Sequence, residues 1–145
     1  MNRVLRWAAL PVATAALASA TLLPAASATA ATSATGATTY TIELISLTCN
    51  KKQDSVGEDE PQLFINGVSK FGPGKMGKGD TEILTGTTFE FFSTATMELF
   101  DVDKGSNDDF LGSVVVSSSE AGAGIQVEKF DHLNGAEYTI VYEVD

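Results

Sequence analysis

Apolar residues recur at every second position through much of this chain, and no segment after residue 30 shows a sustained helical period. Tyr40, Ile42 and Leu44 alternate with Thr41 and Glu43, and Tyr138, Ile140, Tyr142 and Val144 repeat the pattern near the other end. Side chains two apart on an extended backbone project to one face, so this alternation marks half-buried strands. Leu63 to Ile65 and Val68 to Phe71 flank Asn66-Gly67, a dipeptide that favours a tight hairpin turn because both positions tolerate positive φ. Asn134-Gly135 gives a second turn signal. Further strands are predicted over Glu82 to Leu84, Thr88 to Phe92, Ala95 to Phe100, Leu111 to Val116 and Ile125 to Phe130. The "FGPGKMGKGD" stretch, residues 71 to 80, reads as a glycine-rich connection. Together these segments predict an all-β fold, an antiparallel eight-stranded β-sandwich.

The first 30 residues stand outside that pattern. Arg3 and Arg6 precede a long stretch rich in Ala, Val and Leu from Trp7 to Leu23, and no acid interrupts it. This arrangement reads as a secretory signal peptide over residues 1–30. Two small-residue cleavage signals, Ala26-Ser27-Ala28 and Ala28-Thr29-Ala30, place the mature start near Thr29 or Ala31. Residues 31–39, "ATSATGATT", offer little side-chain area to offset the entropy of ordering and read as a flexible leader. The expected folded domain is therefore 40–145, in a secreted, extracellular protein.

Loss of both arginines would leave seven lysines against nineteen acids, a charge of −12. Such a surface repels phosphate backbones and excludes nucleic acid as a partner. Cys49 is the only cysteine, so no internal disulfide can form. At the end of an apolar strand pattern it is expected to be a small buried hydrophobe. Stability must come from packing or from a bound ion.

The acids are not spread evenly. "DVDKGSNDDFLG", residues 101 to 112, carries Asp101, Asp103, Asp108 and Asp109, with Gly105 to let the chain curl. Asp101 and Asp103 share a face about 7 Å apart on an extended strand. Carboxylates about 4 Å apart repel by about 4 kcal/mol at an effective dielectric near 20, so a rim of them works against folding unless neutralised. Oxygen-only ligands favour a hard cation over zinc or copper, and calcium over magnesium because it accepts many oxygens in flexible geometry. An EF-hand is set aside, since its twelfth position would fall on Gly112. A second acidic segment, "DSVGEDEPQLFI" (54 to 65), carries Asp54, Glu58, Asp59 and Glu60 between two strands.

The pairing of these two loops resembles the C2 domain, a calcium- and phospholipid-binding β-sandwich. Its first calcium loop reads D-x-x-G-x-x-D-P-Y and its third D-x-D-x-x-x-x-(N/D)-D-F-(I/L)-G. Asp54, Gly57, Glu60 and Pro61 match the first, with Glu60 where the family usually has Asp and Gln62 replacing the aromatic. Asp101, Asp103, Asp109, Phe110, Leu111 and Gly112 match the third without a gap, and Ser106 falls where some members use a serine oxygen. The resemblance covers most of residues 40–145 and suits a small, secreted, bacterial-type member with the permuted type II topology. It implies Ca²⁺ held by Asp54, Glu60, Asp101, Asp103 and Asp109, with Ser106, Asp108 and Asp59 as second-choice oxygens. It also implies an anionic phospholipid or another cell-surface ligand as partner. The loop tips, Ser55-Val56 and Lys104-Gly105-Ser106-Asn107, offer only Val56 for insertion into lipid.

Catalysis finds little support in the residues. Asp131-His132 lacks a serine in a nucleophile-elbow setting, and a loop mouth on so small a sandwich offers little cleft for paired-carboxylate hydrolysis. The chain is read as a binding module and not an enzyme. Phe89, Phe91, Phe92, Tyr138 and Tyr142 are expected in the core and on its flanks rather than as a sugar-stacking platform.

Overall fold

A computed structural model describes residues 36–53, 57–102, 108–131 and 135–145, all within one unit of the chain, Thr35–Asp145. The predicted signal peptide, its predicted cleavage site and residues 31–35 of the expected leader lie outside the described residues. Eight strands follow in order: β1 (Tyr40–Lys51), β2 (Pro61–Ile65), β3 (Val68–Phe71), β4 (Thr81–Phe91), β5 (Thr94–Asp101), β6 (Asp109–Ser117), β7 (Gln126–Asp131) and β8 (Glu137–Val144). They form two four-stranded antiparallel sheets, β4-β1-β8-β7 and β3-β2-β5-β6, with one 3-10 turn at Ser118–Glu120. The predicted eight-stranded sandwich is the observed one.

The alternating residues face one another across the two sheets. Ile42, Leu44, Leu47, Tyr138, Ile140 and Tyr142 point inward from the first sheet, and Leu63, Ile65, Met97, Leu99, Leu111 and Val116 from the second; all are buried. Burying each such side chain contributes about 1.5–3 kcal/mol before entropy is subtracted. Cys49 is fully buried among them, as its strand position predicts.

In β1 the inward set changes parity, from Ile42 and Leu44 to Leu47 and Cys49. A bulge between Leu44 and Ser46, opposite β8, absorbs the extra residue Ile45 and keeps both halves facing the core. Opposite β4 the surplus lies on β4 itself, where Leu84, Thr85 and Gly86 face Ile45 alone; this irregularity joins Glu82–Leu84 and Thr88–Phe91 into the single strand β4, which the alternation alone divides in two. Asn66 and Gly67 make the predicted hairpin turn with φ of 48° and 75°.

Phe91, Tyr138 and Tyr142 lie in the core and Phe89 packs against it. Phe92 departs from expectation: it stands 62% exposed just after β4, because the inward position belongs to Phe91. The glycine-rich connection is not merely a surface loop either. Met76 is fully buried and pairs with Asp59 through two backbone hydrogen bonds, Met76 N to Asp59 O at 2.9 Å and Asp59 N to Met76 O at 3.2 Å.

Gly72, with φ of 82°, lets this connection lie directly against the start of β2. A Cβ there would fall on the Pro61 carbonyl oxygen and within 3.0 Å of Gln62 Cα. Gly72→Ala is therefore expected to destabilise the fold by about 1–3 kcal/mol, read as a lower urea midpoint at unchanged slope.

Candidate functional site

The two acidic segments meet at one end of the sandwich. Register places Pro61 opposite Asp101, and Asp101 opposite Asp109, so the chain entering β2, leaving β5 and entering β6 arrives side by side. Hydrogen bonds tie these arrivals together. Glu60 N donates to Asp101 Oδ1 at 2.5 Å, and Val102 N donates to Glu60 O at 3.0 Å. Gln53, just beyond β1, donates through Nε2 to Asp109 Oδ2 at 2.7 Å. Residues far apart in sequence are thereby drawn to one mouth.

Two of the carboxylates are interior groups. Asp101 is 1% exposed, and Asp59 is wholly buried. Asp59 Oδ2 accepts two hydrogen bonds, from the Tyr138 hydroxyl at 2.7 Å and from Gln53 N at 2.9 Å. A buried carboxylate held this way is compensated by directed donors rather than by water. Burial pushes the Tyr138 hydroxyl far above the usual tyrosine range, and donation to the Asp59 anion adds to the shift. Burial also raises the Cys49 thiol, with the neighbouring Tyr138 hydroxyl acting in the opposite sense. A thiol so protected is a packing group and not a nucleophile.

The other described acids of the two segments are at the rim. Asp108 and Asp109 are exposed and Glu60 is half-buried. Lys75 Nζ lies 3.9 Å from Glu58 Oε2 and 4.0 Å from Glu60 Oε1, exposed pairs that contribute little to stability. Lys52 Nζ donates to the Gly57 carbonyl. Asp54, Asp103 and Ser106 fall outside the described residues. Among the described residues, no group of three or more His, Cys, Asp or Glu is gathered closely enough to hold a metal by itself.

Gln53 is the residue that sequence reasoning passed over. Its Oε1 is buried and has no hydrogen-bond partner among the described residues, while its backbone and side-chain nitrogens bind Asp59 and Asp109. An acceptor desolvated without a donor costs about 1–3 kcal/mol. A hard cation at the mouth would satisfy it, so the local donor set of carboxylates and an amide oxygen fits calcium. Nothing in the sequence pattern marks Gln53, because it lies between a lysine pair and the first acid of the loop.

No family model and no curated protein matches this chain. Solved structures do. The chain is similar to a structure of the two tandem C2 domains of extended synaptotagmin 2, at 16% identity over 94% of this chain and 47% of that one, with a TM-score of 0.50. The fold is C2-like. A structure described as that of a C2 domain aligns over 74% of this chain and 97% of its own, at 13% identity and a TM-score of 0.47. A calcium-bound structure of the same tandem domains of extended synaptotagmin 2 aligns over 73% of this chain and 45% of its own, at 18% identity and a TM-score of 0.46. The chain thus spans about half the length of the two-domain structures it resembles. In the C2-like sandwich described here, β8 is an interior strand, seated between β1 and β7.

Proposed function

We propose that this chain is a secreted calcium-binding β-sandwich module that attaches, through the ion, to an anionic phospholipid or another cell-surface ligand. The convergence of the two acidic segments carries the reading: the backbone of Glu60 is bonded to Asp101, and Gln53 links Asp59 to Asp109. Calcium would be held by Asp54, Glu60, Asp101, Asp103 and Asp109, with the amide oxygen of Gln53 as a neutral supplement. Asp59 acts beneath them as a clamp, since one of its oxygens already accepts two hydrogen bonds.

An affinity near 10⁻⁴ M, usual for extracellular modules, would keep the site filled at millimolar calcium. At that ratio the ion adds about 1.4 kcal/mol of stability. A second reading, a structural or interaction protein stapled by calcium and indifferent to lipid, is favoured by one observation. The large apolar residues that stand exposed among the described residues, such as Val68, Phe92, Val115 and Ile125, lie on the strands or at the opposite end of the sandwich.

Calorimetric titration of Ca²⁺ into the chelator-stripped mature chain is expected to show saturable heat, and Asp103→Ala to weaken it at least tenfold. Absence of heat in the parent chain would reject calcium binding. Cosedimentation with phosphatidylserine vesicles, with and without Ca²⁺, separates the two readings: calcium-dependent pelleting supports attachment, and its absence supports the staple.

A further inference from the structure

The outer face of the β3-β2-β5-β6 sheet carries a groove of about 300 Å³ lined by Phe64, Gly67, Glu98, Phe100 and Asp108. Alternation explains its content: Phe64 on β2 and Glu98 and Phe100 on β5 take the positions opposite to the buried Leu63, Ile65, Met97 and Leu99. Register sets Phe64 directly across from Glu98, and Phe100 across from Phe110. The rings interlock, Phe64 with Phe100 edge-to-face at 5.8 Å and 87°, and Phe100 with Phe110 at 5.3 Å and 57°.

We propose that this groove binds a small free organic cation, a quaternary methylammonium compound. The volume lies at the lower bound for ligand pockets and suits a small molecule. The two rings that line it, Phe64 and Phe100, stand at 87° to each other, so they offer no coplanar platform for a sugar or a guanidinium plane. Of the five described lining residues two are carboxylates and none is cationic. The ion pairs found among the described residues join Lys75 to Glu58 and Glu60, and Lys129 to Glu137, leaving Glu98 and Asp108 out. Lys70, on the adjoining strand β3, is turned away, donating to the Thr88 carbonyl and lying 5.1 Å from the Phe89 ring centre. A methylated ammonium combines what the groove supplies: it is drawn by carboxylates and ring faces, and it needs no hydrogen-bond acceptor of its own.

The experiment is saturation-transfer NMR on the mature chain with choline chloride, in EDTA so that the result is independent of any calcium site. Transfer to the N-methyl protons is expected, with Kd on the order of 1 mM. The neutral isostere 3,3-dimethylbutan-1-ol is expected to bind at least about fivefold more weakly. Glu98→Gln should weaken choline by about the same factor, with the circular dichroism spectrum unchanged. Phe100→Leu should do likewise, and if that variant fails to fold, Glu98→Gln on the outer face still decides. No transfer, equal binding of the neutral isostere, or an unaffected Glu98→Gln variant would overturn the proposal. So would binding of phosphatidylcholine vesicles by a chain that ignores free choline.

Discussion

Asp59→Ala is expected to cost about 3–5 kcal/mol of folding stability, because hydrogen bonds to a charged group contribute about 1.5–3 kcal/mol each and two are lost together. The substitution removes the acceptor of both the Tyr138 hydroxyl and the Gln53 backbone amide, while the backbone pairing with Met76 stays in place. Asp59→Asn retains one acceptor oxygen and is expected to lose less. Urea unfolding of both variants at saturating Ca²⁺ measures the effect. If calcium restores the alanine variant to parental stability, Asp59 is not the buried clamp described above.

Alkaline pH is the second lever. The hydroxyls of Tyr138 and Tyr142 ionise near 10.0 in the unfolded chain, and both are pushed upward in the folded one, chiefly by burial. Donation to Asp59 adds to the shift at Tyr138, and donation to Glu120 Oε2 at 2.7 Å adds to it at Tyr142. A proton held more tightly in the folded state stabilises that state fully below the unfolded pKa, and the contribution drains away as pH climbs toward the folded pKa. Stability is thus expected to fall above pH 10 by about 1.4 kcal/mol per pH unit for each tyrosine, roughly 2.7 for the pair. The Cys49 thiol, raised from 9.0, steepens the decline and starts it about one unit earlier. Urea midpoints between pH 8 and 11 read the slope directly. Tyr142→Phe should make it shallower by about half of the tyrosine share; an unchanged slope would mean that this hydroxyl ionises as freely in the folded chain as outside it.

Much of the sandwich was legible in the residues because period-two alternation and the Asn66-Gly67 turn are local signals. What escaped was long-range. The bulge at Ile45 looks in sequence like the end of a strand, since Leu47 and Cys49 change parity with respect to Leu44. Asp59 looks like one more acid in a solvated run, and Met76 like filler among glycines. Each is interior only because residues from another part of the chain arrive beside it. For the site, the spacing of Asp101 and Asp109 does reflect their real opposition across β5 and β6. Gln53 carries no such mark, because its partners at Asp59 and Asp109 lie 6 and 56 residues away. Outward placement of Phe64 and Phe100 follows from alternation once Leu63 and Leu99 are recognised as core, yet their meeting edge-to-face depends on which strands become neighbours.

The seat of β8 between β1 and β7 has a consequence for when the chain can complete its fold during synthesis. Thr41 and Asp145 exchange backbone hydrogen bonds at 2.8 and 2.9 Å, so a residue at the start of β1 waits for a partner more than a hundred positions downstream. Loops that long close slowly, and topologies dominated by such pairings fold late. A nascent chain emerging stepwise from a ribosome therefore leaves the β4-β1-β8-β7 sheet incomplete until residues 137–144 have cleared the exit tunnel.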